Sequence, residues 1–312
     1  MPRCVVIRNP ASRRALSEER LQAALDHARA AGWHVERVET DYQHHGMEIA
    51  RAAAAAGVDV VVVNGGDGTI NEVIQGIAHT DTALAVLPGG TANVWANEAG
   101  IHKDPSDAML DIVRGVRRRI DLGRAGERYF LLMAGVGLDA EIVPRVGARM
   151  KRLLGAASYV VSGAFIALRT KPRQVAMRID GAAADASVYW MLISNTRSYG
   201  GLAEITYRAV ADDGLLDVEV MHRGGVFHLL ADGVRLLFHR HDRSPNVEYR
   251  HARTVEIATA GLPVQVDGEF LGATPMRFEV APAALTVIVP PSLRSALFQQ
   301  PAIGPVDAAA RE

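Results

Sequence analysis

Residues 60–63 are four consecutive valines that run into Asn64-Gly65-Gly66-Asp67-Gly68-Thr69, after which Ile70, Val73, Ile74 and Ile77 fall at helical spacing. An unbroken apolar run suits a strand covered on both faces, and the spacing beyond the glycines suits a helix. The device recurs where the apolar run 83–87 ends in Pro88-Gly89-Gly90-Thr91-Ala92-Asn93. Strand patterns at 4–8, 34–38, 58–63 and 83–87 alternate with helical patterns at 17–31, 47–56 and 69–78. Such alternation predicts a mostly parallel sheet flanked by helices, with its loops gathered at the carboxyl edge.

The pattern changes after Arg117-Arg118-Arg119. Short alternating segments at 175–180, 187–193, 215–221, 255–258, 264–266 and 285–289 predict an antiparallel β-sandwich, interrupted by helices at 139–150, 156–168 and 226–238. The expected division is an α/β nucleotide-binding domain over 1–124, a β-rich acceptor domain over 125–290, and a C-terminal segment, 291–312, that docks back on the first.

Composition narrows the function classes. The 312 residues carry a formal charge of −1, which gives no reason to expect nucleic-acid binding. Cys4 is the single cysteine, so no disulfide framework exists and a reducing cytoplasm is the expected compartment. Met1 leads directly into a strand pattern, leaving no room for a signal peptide, and the apolar stretch 156–168 is too short to span a bilayer. His44, His45, His239 and His241 lack zinc-ligand spacing and are expected at the surface.

Glycines that feed a helix N-terminus let backbone N–H groups approach an anion closely. A bare strand-to-helix turn is the alternative, but two such loops, with Asp67 among three glycines, favour a phosphate ligand. Neither loop is a Walker A motif, since no Lys follows the glycines, and the three lysines of the chain stand elsewhere at 103, 151 and 171. The dinucleotide fingerprint is missing as well.

These segments, with Ala134-Gly135-Val136-Gly137-Leu138-Asp139-Ala140, Ser194-Asn195, Asp212-Asp213-Gly214 and Val266-Asp267-Gly268-Glu269, resemble the catalytic domain of the diacylglycerol kinase and sphingosine kinase superfamily, especially its bacterial soluble lipid kinases. The resemblance implies ATP on Asn64, Gly65, Gly66, Asp67, Gly68, Thr69, Gly89, Gly90 and Thr91, with Asn9, Ser12 and Thr40 as further contacts. It implies Mg²⁺ at Asp67 and a base at Asp267 or Glu269, where a plain Asp-Gly hairpin turn is the alternative. A structural Mg²⁺ would take the Asp213 side chain and the carbonyls of Val210 and Leu215, where a plain turn before the strand at 215–221 is the alternative. The acceptor would be a lipid met at a membrane surface, and an exposed strand edge in the second domain offers a second copy a place to pair. The basic residues Arg145, Arg149, Lys151 and Arg152 read first as an ordinary solvated helix face, with contact to anionic lipid headgroups as the alternative. A kinase of a soluble acceptor such as NAD, and a non-catalytic nucleotide- or lipid-binding protein, stay open. Arg13 and Arg14 stand where the family has glycine.

Overall fold

Val60, Val61, Val62 and Val63 are all fully buried, as a strand covered on both faces requires. The computed structural model describes residues 1–13, 15–137, 171–201 and 203–306. The helices expected at 139–150 and 156–168, the basic residues Arg145, Arg149, Lys151 and Arg152, and Arg14 lie outside the described residues. The chain forms two units: Met1–Leu122, Val210–Gly214 and Ala281–Glu312 make the first, Gly123–Ala209 and Leu215–Val280 the second.

In the first unit β1 (Arg3–Arg8), α1 (Glu18–Ala30), β2 (His34–Glu39), α2 (His45–Ala55), β3 (Val60–Gly65), α3 (Asp67–Ile77) and β4 (Ala83–Pro88) follow one another, then α4 (Val94–Glu98) and α5 (Pro105–Val113). The strands are parallel in the order β2, β1, β3, β4. The strand read at 285–289 is the end of a longer one, Met276–Val289, and its Thr286 and Val287 extend this sheet in parallel beyond β4. Because β1 lies between β2 and β3, the strand order reverses there, and such sheets open a crevice for ligands at that point. Gly76 lets α3 touch α2, since a Cβ there would stand 2.6 Å from the Met47 carbonyl.

Helix α5 went unforeseen. Its signals are nonetheless local: Asp104 accepts from Ser106 N–H at 2.9 Å and Pro105 opens the first turn.

The second unit holds an antiparallel sheet of Val247–Ala252, Leu216–Met221, Trp190–Ser194, Met133–Gly137, Pro263–Val266 and Glu269–Ala273, in that order. Thr254–Ile257 pairs antiparallel with Met177–Ile179 and with Met276–Val289. Phe130, Val136, Met191, Val218, Val255 and Phe278 belong to one buried cluster, the filling of a β-sandwich. Among the described residues no helix is long and apolar enough to cross a membrane.

One histidine reading is corrected. His241 is 3% exposed, its Nε2 lying 2.6 Å from the Ile205 carbonyl and 3.2 Å from Glu219 Oε2. Spacing in sequence carried no sign of this, because the carboxylate that accommodates the ring arrives from the strand Leu216–Met221.

Candidate functional site

Three loops meet at the carboxyl edge of the parallel sheet. Asn9 follows β1, and its N–H donates to the Asn64 carbonyl at 3.0 Å, across the point where the strand order reverses. Its side-chain amide donates to Thr69 Oγ1 at 2.9 Å, and its Oδ1 accepts from Ala11 N–H at 3.0 Å. Ser12 Oγ donates to the Gly89 carbonyl at 2.6 Å, and Gly89 N–H donates to the Gly65 carbonyl at 3.0 Å. Each loop is thus fastened to the other two.

Glycine is required where the loops face one another. A Cβ on Gly90 would stand 2.7 Å from the Gly66 Cα, and one on Gly66 would stand 3.3 Å from the Gly90 Cα. The approach leaves backbone N–H groups in the lining at the N-terminus of α3, where the helix dipole favours an anion; of these the Thr69 N–H already donates to the Gly66 carbonyl at 2.9 Å. Thr69 is buried, Thr91 exposed, and Asn64 buried with its Oδ1 lacking a hydrogen-bond partner. Thr40 follows β2 at the same edge, its N–H donating to the Arg8 carbonyl at 2.9 Å. Arg13 is exposed.

Asp67 opens α3, and its carboxylate accepts from Trp95 N–H of α4 at 3.4 Å. Burial pushes its pKa up, against the pull of backbone N–H groups of Val94, Trp95, Asp67 itself and Asn93. Asn93, at φ 47°, holds both polar backbone groups of Gly90: its Oδ1 accepts from the N–H at 2.7 Å and its Nδ2 donates to the carbonyl at 3.0 Å. Sequence reasoning placed Asn93 in the motif without giving it this task. The preference of Asn for left-handed backbone was the available signal.

Asp213 and Val210 belong to the first unit, and Leu215 is the next residue after its Gly214. Asp121 was missed altogether. It is 3% exposed, and its carboxylate accepts from Gly214 N–H and Ala283 N–H, both at 2.7 Å. Burial, and then the charges of Asp213 and Asp212, push its pKa up against those two N–H groups. Asp212 in turn accepts from Gln299 and Gln300 N–H groups at 2.7 and 3.0 Å. The Asp121 and Asp212 carboxylates are thus engaged by backbone N–H groups, with the charge of Asp213 close by. Among the described residues no group of three His, Cys, Asp or Glu side chains forms a ready metal cage, so any ion here relies on carbonyls and water too.

Asp267 and Glu269 stand in the second unit, on the hairpin joining Pro263–Val266 to Glu269–Ala273. Asp267 and Gly268 have φ of 48° and 84°, the pair of positive values a type I′ turn needs. The Asp267 carboxylate accepts from Leu131, Leu132 and Met133 N–H groups at 2.9, 2.9 and 3.0 Å. Glu269 lies 3.1 Å from Arg128, with its side chain 40% exposed. One carboxylate therefore organises backbone, while the other is 40% exposed and reaches the Arg128 guanidinium.

Comparison with known proteins agrees along the chain. Residues 3–125 match the family described as the diacylglycerol kinase catalytic domain, and residues 133–289 the YegS C-terminal NAD kinase beta sandwich-like domain. The chain is 33% identical over 287 residues to a "probable lipid kinase YegS-like" of Pseudomonas fluorescens, covering 89% of this chain and 93% of that protein. It is 28% identical over 294 residues to the "diacylglycerol kinase" of Bacillus subtilis, covering 93% and 97%. A crystal structure described as a diacylglycerol kinase from Bacillus anthracis superposes with a TM-score of 0.79 over 93% of this chain and 98% of that one; at 23% identity the likeness is one of fold.

Proposed function

Because the chain belongs to the diacylglycerol kinase catalytic-domain family, carries its YegS-type C-terminal domain and is thereby a lipid kinase, we propose that it transfers the γ-phosphate of ATP to a hydroxyl of a diacylglycerol-like lipid, with Mg²⁺ as counter-cation. The observation that carries this reading is the mutual fastening of the Asn9, Gly65–Gly66 and Gly89–Gly90 loops at the sheet's carboxyl edge. Backbone N–H groups of these loops bind the triphosphate, and the Thr69 and Thr91 hydroxyls add donors.

Asp67, together with phosphate oxygens and water, would hold Mg²⁺, which neutralises phosphate charge. A half-buried carboxylate whose pKa is pushed up gains from a nearby cation. Asp213 with the Val210 and Leu215 carbonyls would hold a structural ion.

Glu269 is the proton acceptor. The lipid hydroxyl oxygen forms the new bond to the γ-phosphorus, the bond from that phosphorus to the β,γ-bridging oxygen breaks, and ADP leaves with that electron pair. The hydroxyl proton passes to Glu269, whose side chain is 40% exposed beside Arg128, whereas three backbone N–H groups already occupy Asp267. Asp267 is a positioning residue that shapes the turn bearing Glu269. The lipid is taken from a bilayer surface.

The test is transfer of label from γ-labelled ATP to detergent-dispersed diacylglycerol, with and without Mg²⁺, for the full chain and for Asp67→Ala. Labelled lipid that disappears on chelation and in the variant is expected. A metal-independent transfer, or full activity of Asp67→Ala, would contradict the reading.

A further inference from the structure

Tyr42 is an exposed aromatic ring with a fixed plane. It is 55% exposed, one face stacks on His45 with centroids 4.4 Å apart and planes 7° from parallel, and its hydroxyl donates to Glu48 Oε2 at 2.6 Å. Packing against an apolar core does not explain a ring left so open. Two fastenings determine where its loop lies. Thr40 N–H donates to the carbonyl of Arg8, the residue before Asn9. His44 and Gly46 N–H groups donate to the two carboxylate oxygens of Glu72 at 2.9 and 3.1 Å, and Glu72 lies one turn beyond Thr69 on α3. The segment from Thr40 to Gly46 therefore borders the phosphate loops, tied to the end of β1 and to α3.

The glycine loops present N–H groups and hydroxyls, which recognise phosphate whether or not a nucleoside is attached. Recognition of the base needs a different surface, and an aromatic face is one that any purine can cover. We propose that the outer face of Tyr42, backed by His45, is the stacking platform for the purine ring of the nucleotide. This rests on the ATP reading above and adds to it the residue that distinguishes a nucleotide from bare polyphosphate. The existing stack and the Glu48 hydrogen bond hold the ring before ligand arrives, so little side-chain freedom is lost on binding. Stacking is tolerant of base identity, so ATP and GTP depend on Tyr42 alike.

The experiment is titration of the full chain, as wild type, Tyr42→Ala and Tyr42→Phe, with ATP, GTP and inorganic tripolyphosphate. Tyr42→Ala is expected to weaken both nucleotides by about five- to a hundredfold, the range that loss of one base–aromatic stack gives. Tripolyphosphate affinity stays unchanged, and Tyr42→Phe restores most of the nucleotide affinity. Unchanged ATP affinity in Tyr42→Ala would overturn the proposal, as would an equal loss for ATP and tripolyphosphate, which would mark a collapsed loop. A wild-type chain that binds no ATP would overturn the kinase reading itself, whereas wild-type binding with an insensitive Tyr42→Ala removes the platform alone.

Discussion

Asp267 and Glu269 are two residues apart, and the structure separates what their removal should do. The Asp267 Oδ2 accepts one backbone N–H and its Oδ1 accepts two, all from residues 131–133. In Asp267→Asn only one side-chain oxygen accepts, and the amide nitrogen faces N–H groups that need an acceptor. Hydrogen bonds to a charged group contribute about 1.5–3 kcal/mol each, and the partial exposure of Asp267 argues for the lower end. Losing one or two of the three places the cost at about 2–3 kcal/mol, with the left-handed backbone still tolerated by Asn. Glu269→Gln breaks one half-exposed pair with Arg128, a change below about 1 kcal/mol. Its effect falls on chemistry instead: losing a general base lowers turnover by about 10²–10⁴-fold. Denaturant unfolding and label transfer from γ-labelled ATP to diacylglycerol should be measured on the same preparations. A stable but inactive Glu269→Gln beside a less stable Asp267→Asn that retains measurable turnover is expected. The reverse pattern, a fully stable, inactive Asp267→Asn with an active Glu269→Gln, would refute the assignment.

Gly90→Ala places a methyl against the Gly66 backbone and must part the two loops, at a cost of about 1–3 kcal/mol; ATP titration should show weaker binding, and unchanged affinity would contradict the loop account. Cys4 is buried in β1 with its thiol pushed up to about 12, so a thiol reagent at mildly alkaline pH should leave the native chain untouched and label it on unfolding; rapid native labelling would contradict its placement. For His241, burial pulls the imidazole pKa down, but the hydrogen bond and charge of Glu219 outweigh it and hold the value above 6.5. A raised folded-state value means its stabilisation is fully present below the unfolded pKa and is lost as pH rises through the folded one. The melting-temperature difference between wild type and His241→Gln should therefore shrink from mildly acidic to alkaline pH, and a difference that grows would reverse the sign.

What the sequence made legible was local. The valine run, the glycines that follow it and the helical spacing beyond report on neighbours in the chain, and the parallel sheet with glycine loops at its carboxyl edge followed from them. The Asp-Gly turn at 267–268 was readable for the same reason. The task of its carboxylate was not, because the accepted N–H groups lie 134–136 positions away. Asp121 was hidden likewise, in the strand Val116–Ala125 and bonded to Gly214 and Ala283 across 93 and 162 positions. His241 looked like a surface residue because a buried carboxylate partner leaves no periodic trace. Tyr42 sat in an unremarked loop until the ring beneath it and the Glu72 anchor were seen together.

The most direct test of the central claim offers the full chain γ-labelled ATP and Mg²⁺ with detergent-dispersed diacylglycerol, sphingoid base and phosphatidylglycerol, alongside NAD and sugars. Label in a lipid hydroxyl, strongest for a diacylglycerol-like acceptor and absent from Glu269→Gln, is the predicted result. Label confined to NAD or a sugar, or none in any acceptor while ATP binds, would contradict it.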